Sequence, residues 1–89
     1  MELFIFTLND CIHCQDLKTR LSNVKLSFKE LEINKNKLFW DEVVKQTGED
    51  IVPTVYIKED EGKKTHIFIP GKDFNNGDDA INIIKKYIL

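Results

Sequence analysis

The chain has 89 residues, 42% of them hydrophobic and 31% charged, and its formal net charge is −2. That length predicts one domain spanning 1–89, with a modest core, because a folded chain of this size buries only about 60–65% of its unfolded surface. The composition argues against disorder. Acids and bases are mixed along the chain, which argues against a nucleic-acid surface, and no stretch approaches the ~20 apolar residues of a membrane span.

The first residues, Met1-Glu-Leu-Phe-Ile-Phe-Thr-Leu8, lack a positive n-region and a cleavage site. They read as a strand, not a signal peptide, with Leu3 to Leu8 as its continuous apolar run. Asn9 and Asp10 follow as candidate N-caps. Leu17, Leu21 and Val24 recur at helical spacing, so a helix is predicted from near Cys11 to near Asn23. Ser27 to Ile33 alternates imperfectly and predicts a second strand. Asn34-Lys35-Asn36 is a turn. From Lys37 to Thr47, Phe39/Val43 and Trp40/Val44 form i,i+4 pairs before Gly48, which predicts a second helix and its stop. Thr54 to Ile57 and Thr65 to Ile69 are β-rich runs around a long charged turn, Lys58 to Lys64, and predict a hairpin. A loop from Pro70 to Gly77 leads to a last helix, capped by Asp78 or Asp79, with Ile81, Ile84 and Ile88 on one face.

The order β-α-β-α-β-β-α predicts an α/β sandwich: a four-stranded mixed sheet with three helices. The first two strands are parallel through a right-handed crossover, and the last two are antiparallel.

The chemistry concentrates in Cys11-Ile12-His13-Cys14, a C-x-x-C that follows a predicted strand and opens a predicted helix. That context is a redox signature. The helix N-terminus stabilises a thiolate at Cys11 through free N–H groups and the positive end of the dipole. His13 and Lys18 add positive potential, and Asp10 opposes them. Cys11 is therefore the predicted nucleophile and Cys14 the resolving thiol. Two other readings stay open. One is a pair of inert core thiols, against which stand the polar neighbours Asn9, Asp10, His13, Gln15 and Asp16. The other is zinc, which wants four ligands where only His13 and the distant His66 supplement the cysteines. No metal is expected.

These residues resemble the glutaredoxin family of the thioredoxin-like superfamily. The likeness rests on Cys11-Ile-His-Cys14, Lys18, Ile51-Val52-Pro53 before the third strand, and Pro70-Gly71-Lys72-Asp73 after the fourth. It implies a cis Val52–Pro53 bond facing the cysteines, and a Val52 backbone that pairs with substrate as an added strand. It also implies glutathione as co-substrate, its γ-glutamyl end held by the Lys72 N–H and the Asp73 side chain. The sequence departs from the family at five places: Leu8 replaces a lysine, Asp10 an aromatic, His13 a tyrosine, one glycine of a Gly-Gly pair is missing, and the hairpin turn is longer than the family's usual tight one. Lys18, Lys37 and Lys72 are the cations available to compensate.

The expectation is a monomeric, cytoplasmic oxidoreductase that reduces protein disulfides or glutathionylated substrates and is recycled by glutathione. One competing reading is a thioredoxin-like electron donor, for example to ribonucleotide reductase, recycled by a flavoprotein reductase. A reading of another class is a glutathione-dependent iron–sulfur cluster module.

Overall fold

Strand β1 (Glu2–Thr7) is buried from Leu3 to Thr7, whereas Leu8, the last residue of the expected run, lies beyond the strand and is exposed. The computed structural model describes residues 1–88; Leu89, the last residue of the expected domain, lies outside them. Helix α1 (Ile12–Asn23), strand β2 (Lys29–Glu32), helix α2 (Lys37–Thr47), strands β3 (Thr54–Glu59) and β4 (Lys64–Phe68), and helix α3 (Gly77–Ile88) follow in that order.

The sheet order is β2-β1-β3-β4. Strand β2 runs parallel to β1, β3 antiparallel to β1, and β4 antiparallel to β3. Central β1 divides its side chains between two cores, which is why its sequence does not alternate. Leu3 and Ile5 pack with Leu17 and Leu21 of α1 and with Ala80 and Ile84 of α3. Phe6, on the opposite face, packs with Trp40 and Val43 of α2, and Phe6, Phe39 and Tyr56 meet edge to face.

The topology brings the active elements together. Phe6 is in register with Thr54, so the end of β1 and the start of β3 share one end of the sheet. The Cys11 segment leaves from the first and the Val52–Pro53 segment enters the second. Among the described residues no helix is long and apolar enough to cross a membrane.

Several local expectations change. The cap of α1 is neither Asn9 nor Asp10 but Cys11, whose sulfur accepts the Cys14 N–H; Asp10 instead takes a left-handed φ of 62°. Strand β2 is only four residues long, because Ser27 and Phe28 precede its ladder. The charged hairpin is tighter than predicted. Lys58, Glu59 and Lys64 belong to the ladder, and the reversal is a left-handed turn at Asp60–Gly62, where Asp60, Glu61 and Gly62 all have positive φ.

Helix α3 starts at Gly77, at least two residues earlier than a cap at Asp78 or Asp79 would place it. Its first turn is held by Asn76, whose Oδ1 accepts the Asp79 N–H, while the Asp79 carboxylate accepts the Asn75 N–H. His66 in β4 is half-buried: its ring lies 4.5 Å from that of Tyr87 and its Nε2 3.0 Å from Glu59 Oε2.

Candidate active site

Cys11 and Cys14 are joined by a disulfide across a Cα–Cα distance of 5.2 Å. The two sulfurs differ in environment. Cys14 is buried at 1% exposure, whereas Cys11 is half-exposed at the mouth of α1. The Cys14 N–H donates to Cys11 Sγ at 3.1 Å. This donor, one of the orphan amides of a helix start, can stabilise negative charge on Cys11 when the pair is reduced. Ile12 and His13 between them are exposed.

A groove of about 290 Å³ runs beside the dithiol. One wall is the His13, Asp16 and Leu17 face of α1. A second is Ile51-Val52-Pro53, where the Val52–Pro53 bond is cis. A third comes from Pro70 and Gly71 and from Phe74 through Gly77, which lead into α3. The second wall is anchored from both sides: Trp40 Nε1 donates to Asp50 Oδ1 at 3.0 Å, and the buried Thr54 hydroxyl donates to the Ile51 carbonyl at 2.6 Å.

Lys72 and Asp73 sit differently from the expectation. Neither lines the groove. The Lys72 N–H donates to the Ile69 carbonyl at 3.2 Å, and Asp73 Oδ2 accepts the Ile69 N–H at 2.7 Å. The two groups that the family resemblance aims at a γ-glutamyl end are thus bonded inside their own turn. Phe74 to Gly77, the next four residues, form the wall with Pro70 and Gly71 instead. Their signal in the sequence is Asn75-Asn76-Gly77, which is the capped start of α3 and not the end of a loop.

The expected tuning charges are also placed otherwise. Lys18 Nζ lies 2.9 Å from Glu30 Oε2, and the same oxygen accepts the Thr7 hydroxyl at 2.8 Å. Lys18 first and Thr7 second hold the Glu30 carboxyl below its ordinary range. Arg20, one turn beyond Asp16, bonds Asp16 Oδ2 at 2.9 Å and Asp78 Oδ1 at 2.6 Å, tying α1 to the first turn of α3.

The fold and this site define a thioredoxin-fold protein with a C-x-x-C at the start of its first helix. The Glutaredoxin family model matches residues 3–61, and the chain belongs to the glutaredoxin family. Glutaredoxin 3 of Escherichia coli K12 is 36% identical over 53 residues, which are 60% of this chain and 64% of that relative; the Glutaredoxin 3 of strain O157:H7 matches equally. The chain therefore spans about two thirds of the length of these curated relatives. Two solved structures share the fold. The NrdH-redoxin of Escherichia coli, described as a glutaredoxin-like protein with a thioredoxin-like activity profile, superposes with a TM-score of 0.67 at 23% identity, covering 94% of this chain and 95% of its own. Thioredoxin 1 of Thermosipho africanus TCF52B superposes with a TM-score of 0.57 at 22% identity, covering 99% and 94%.

Proposed function

We propose that this protein is a thiol–disulfide oxidoreductase that reduces polypeptide disulfides by dithiol exchange. The observation that carries the reading is the asymmetry of the pair: a half-exposed Cys11 sulfur bonded by a helix-start amide, beside a buried Cys14. The Cys11 thiolate attacks one sulfur of the substrate disulfide, and the other sulfur leaves and takes a proton. Cys14, once deprotonated, attacks Cys11 Sγ. This releases the second substrate thiol and leaves Cys11–Cys14 oxidised by two electrons. His13, exposed beside Cys14, adds positive potential when protonated and so favours the thiolate form.

The surroundings support a polypeptide substrate over glutathione. Ile12 is 77% exposed and Ile51 43%, and no lysine or arginine lines the groove, whereas Asp16 does. Glutathione brings two carboxylates, and the Lys72 and Asp73 groups assigned to it are engaged within their turn. An extended substrate chain would instead lie along the Val52 backbone and rest apolar side chains on Pro53 and Phe74. The recycling partner in this reading is a flavoprotein reductase in a reducing cytosol. A glutathione-coupled second reading is favoured by the family match and by the first turn of α3 in the groove wall, where free amides can receive a carboxylate.

The test is turnover of a small mixed disulfide with glutathione plus glutathione reductase, against turnover of a protein disulfide with a thioredoxin-type flavoprotein reductase. Cys11→Ser should abolish both. The expected result is turnover with the flavoprotein reductase that Cys14→Ser also abolishes. Glutathione-driven turnover that survives Cys14→Ser would instead establish monothiol deglutathionylation.

A further inference from the structure

Lys18 and Glu30 form a charge pair that the dithiol reaction as described above does not use. Lys18 lies one helical turn past Cys14, so the two share a face of α1. Its side chain is only 29% exposed and points to Glu30 of the edge strand β2. The same Glu30 oxygen accepts the hydroxyl of Thr7, which is 1% exposed. Thr7 ends β1, four residues before Cys11. It stands two residues on from Ile5, and therefore on the sheet face that α1 covers. One carboxylate thus grips the segment that carries the dithiol from both sides, at the strand leading into it and on the helix leading out.

The neighbouring charges of β2 have other tasks. Lys29 pairs with Glu2, and Glu32 accepts the N–H groups of Asn34 and Lys35 in the following turn. Glu30 alone in that strand is bonded to both flanks of the dithiol segment. As an ion pair, Lys18 and Glu30 project little net potential; either one alone leaves a unit charge on an element that flanks the dithiol segment.

We propose that Glu30 is a positioning residue for the redox couple: it holds and neutralises Lys18, and so keeps the Cys11–Cys14 disulfide less oxidising than the charge of α1 alone would make it. The proposal rests on Cys11–Cys14 being a working redox couple. Reduction creates a thiolate, which a nearby cation stabilises and a nearby anion destabilises. The sign for each half of the pair follows from that.

The test is the midpoint potential of the full chain in defined dithiothreitol buffers, read by the mass shift on thiol alkylation. Glu30→Gln keeps an oxygen acceptor for Thr7 and removes only the charge. It should shift the equilibrium toward the reduced form roughly three- to tenfold, the effect of a unit charge one or two helical turns away under partial screening. A tenfold shift corresponds to about 30 mV for this two-electron couple. Lys18→Gln should shift it the other way by a similar factor, and the Glu30→Gln/Lys18→Gln double variant should return to within about twofold of wild type. Loss of packing alone would not reverse sign between the two variants. The proposal is overturned if neither single variant moves the equilibrium more than twofold, or if both move it in the same direction. A wild-type pair with no reversible midpoint would sink the redox reading itself and this proposal with it.

Discussion

Cys11 caps its own helix with a sulfur, where aspartate, serine or asparagine would be the stronger choice. In the proposed reaction this position presents a thiolate, at the expense of some capping strength. Cys11→Ser should therefore stabilise the fold relative to reduced wild type, by up to about 1 kcal/mol, while removing thiol exchange. Urea unfolding of both proteins under reducing conditions measures this; a less stable serine variant would mean that the sulfur packs rather than caps. Asp73 makes the opposite case. Its carboxylate receives the Ile69 N–H beside buried Ile69 and Phe74. Asp73→Ala should cost about 1–3 kcal/mol through that orphaned amide, and Asp73→Asn much less, since the amide oxygen still accepts. A raised KM for glutathione in Asp73→Ala at unchanged stability would return the residue to a ligand role.

At the scale of elements, the contact of α1 with α3 depends on a missing side chain. A Cβ on Gly77 would overlap the Arg20 side chain and Asp16 Oδ2, so the Arg20 bridge from Asp16 to Asp78 fits only against glycine. Gly77→Ala should displace Arg20 and cost at most about 1 kcal/mol, because these ion pairs are exposed. In an Arg20→Ala background the same change should be neutral or stabilising, as alanine favours the helix. Additive losses in that cycle would show that Gly77 serves the backbone and not the clamp. Elements of this kind mark the limit of what the sequence reveals. The bounds of α2, the buried run of β1 and the hairpin were legible, because apolar periodicity records which face is covered. Cys11, Cys14 and the cis Val52–Pro53 segment were legible because they sit in short local motifs. Caps were not, because Asn76 competes with Asp78 and Asp79 by geometry, and Cys11 with Asn9 and Asp10. Nor was the Lys18–Glu30 pair, while the third wall of the groove was legible only in Pro70 and Gly71. Sheet order and a twelve-residue separation create the Lys18–Glu30 contact, and no local pattern encodes it.

Across the whole molecule, one sheet carries a core on each face and leaves its chemistry at the end where β1 stops and β3 starts. The Thr7–Glu30–Lys18 chain crosses from sheet to helix beside that end, so fold stability and redox tuning meet in one carboxylate. Its folded-state pKa lies below the ordinary value, first through Lys18 and then through Thr7. The unfolded chain therefore binds a proton at a higher pH than the folded one does, and stability rises with pH across that interval. The contribution is fully present above the unfolded value of about 4.3 and is lost as pH falls through the lower folded value. With Glu30 and Lys18 both partly exposed, its size is at most about 1 kcal/mol after solvent screening. Glu30→Gln should lower stability modestly at pH 7 and not at all near pH 2, which leaves the variant with a flatter acid limb in urea titrations. A constant difference at both pH values would assign the loss to packing at Thr7 instead of to charge. The same substitution is expected to make the Cys11–Cys14 disulfide more oxidising while it weakens the fold, so one charge acts on both potential and stability.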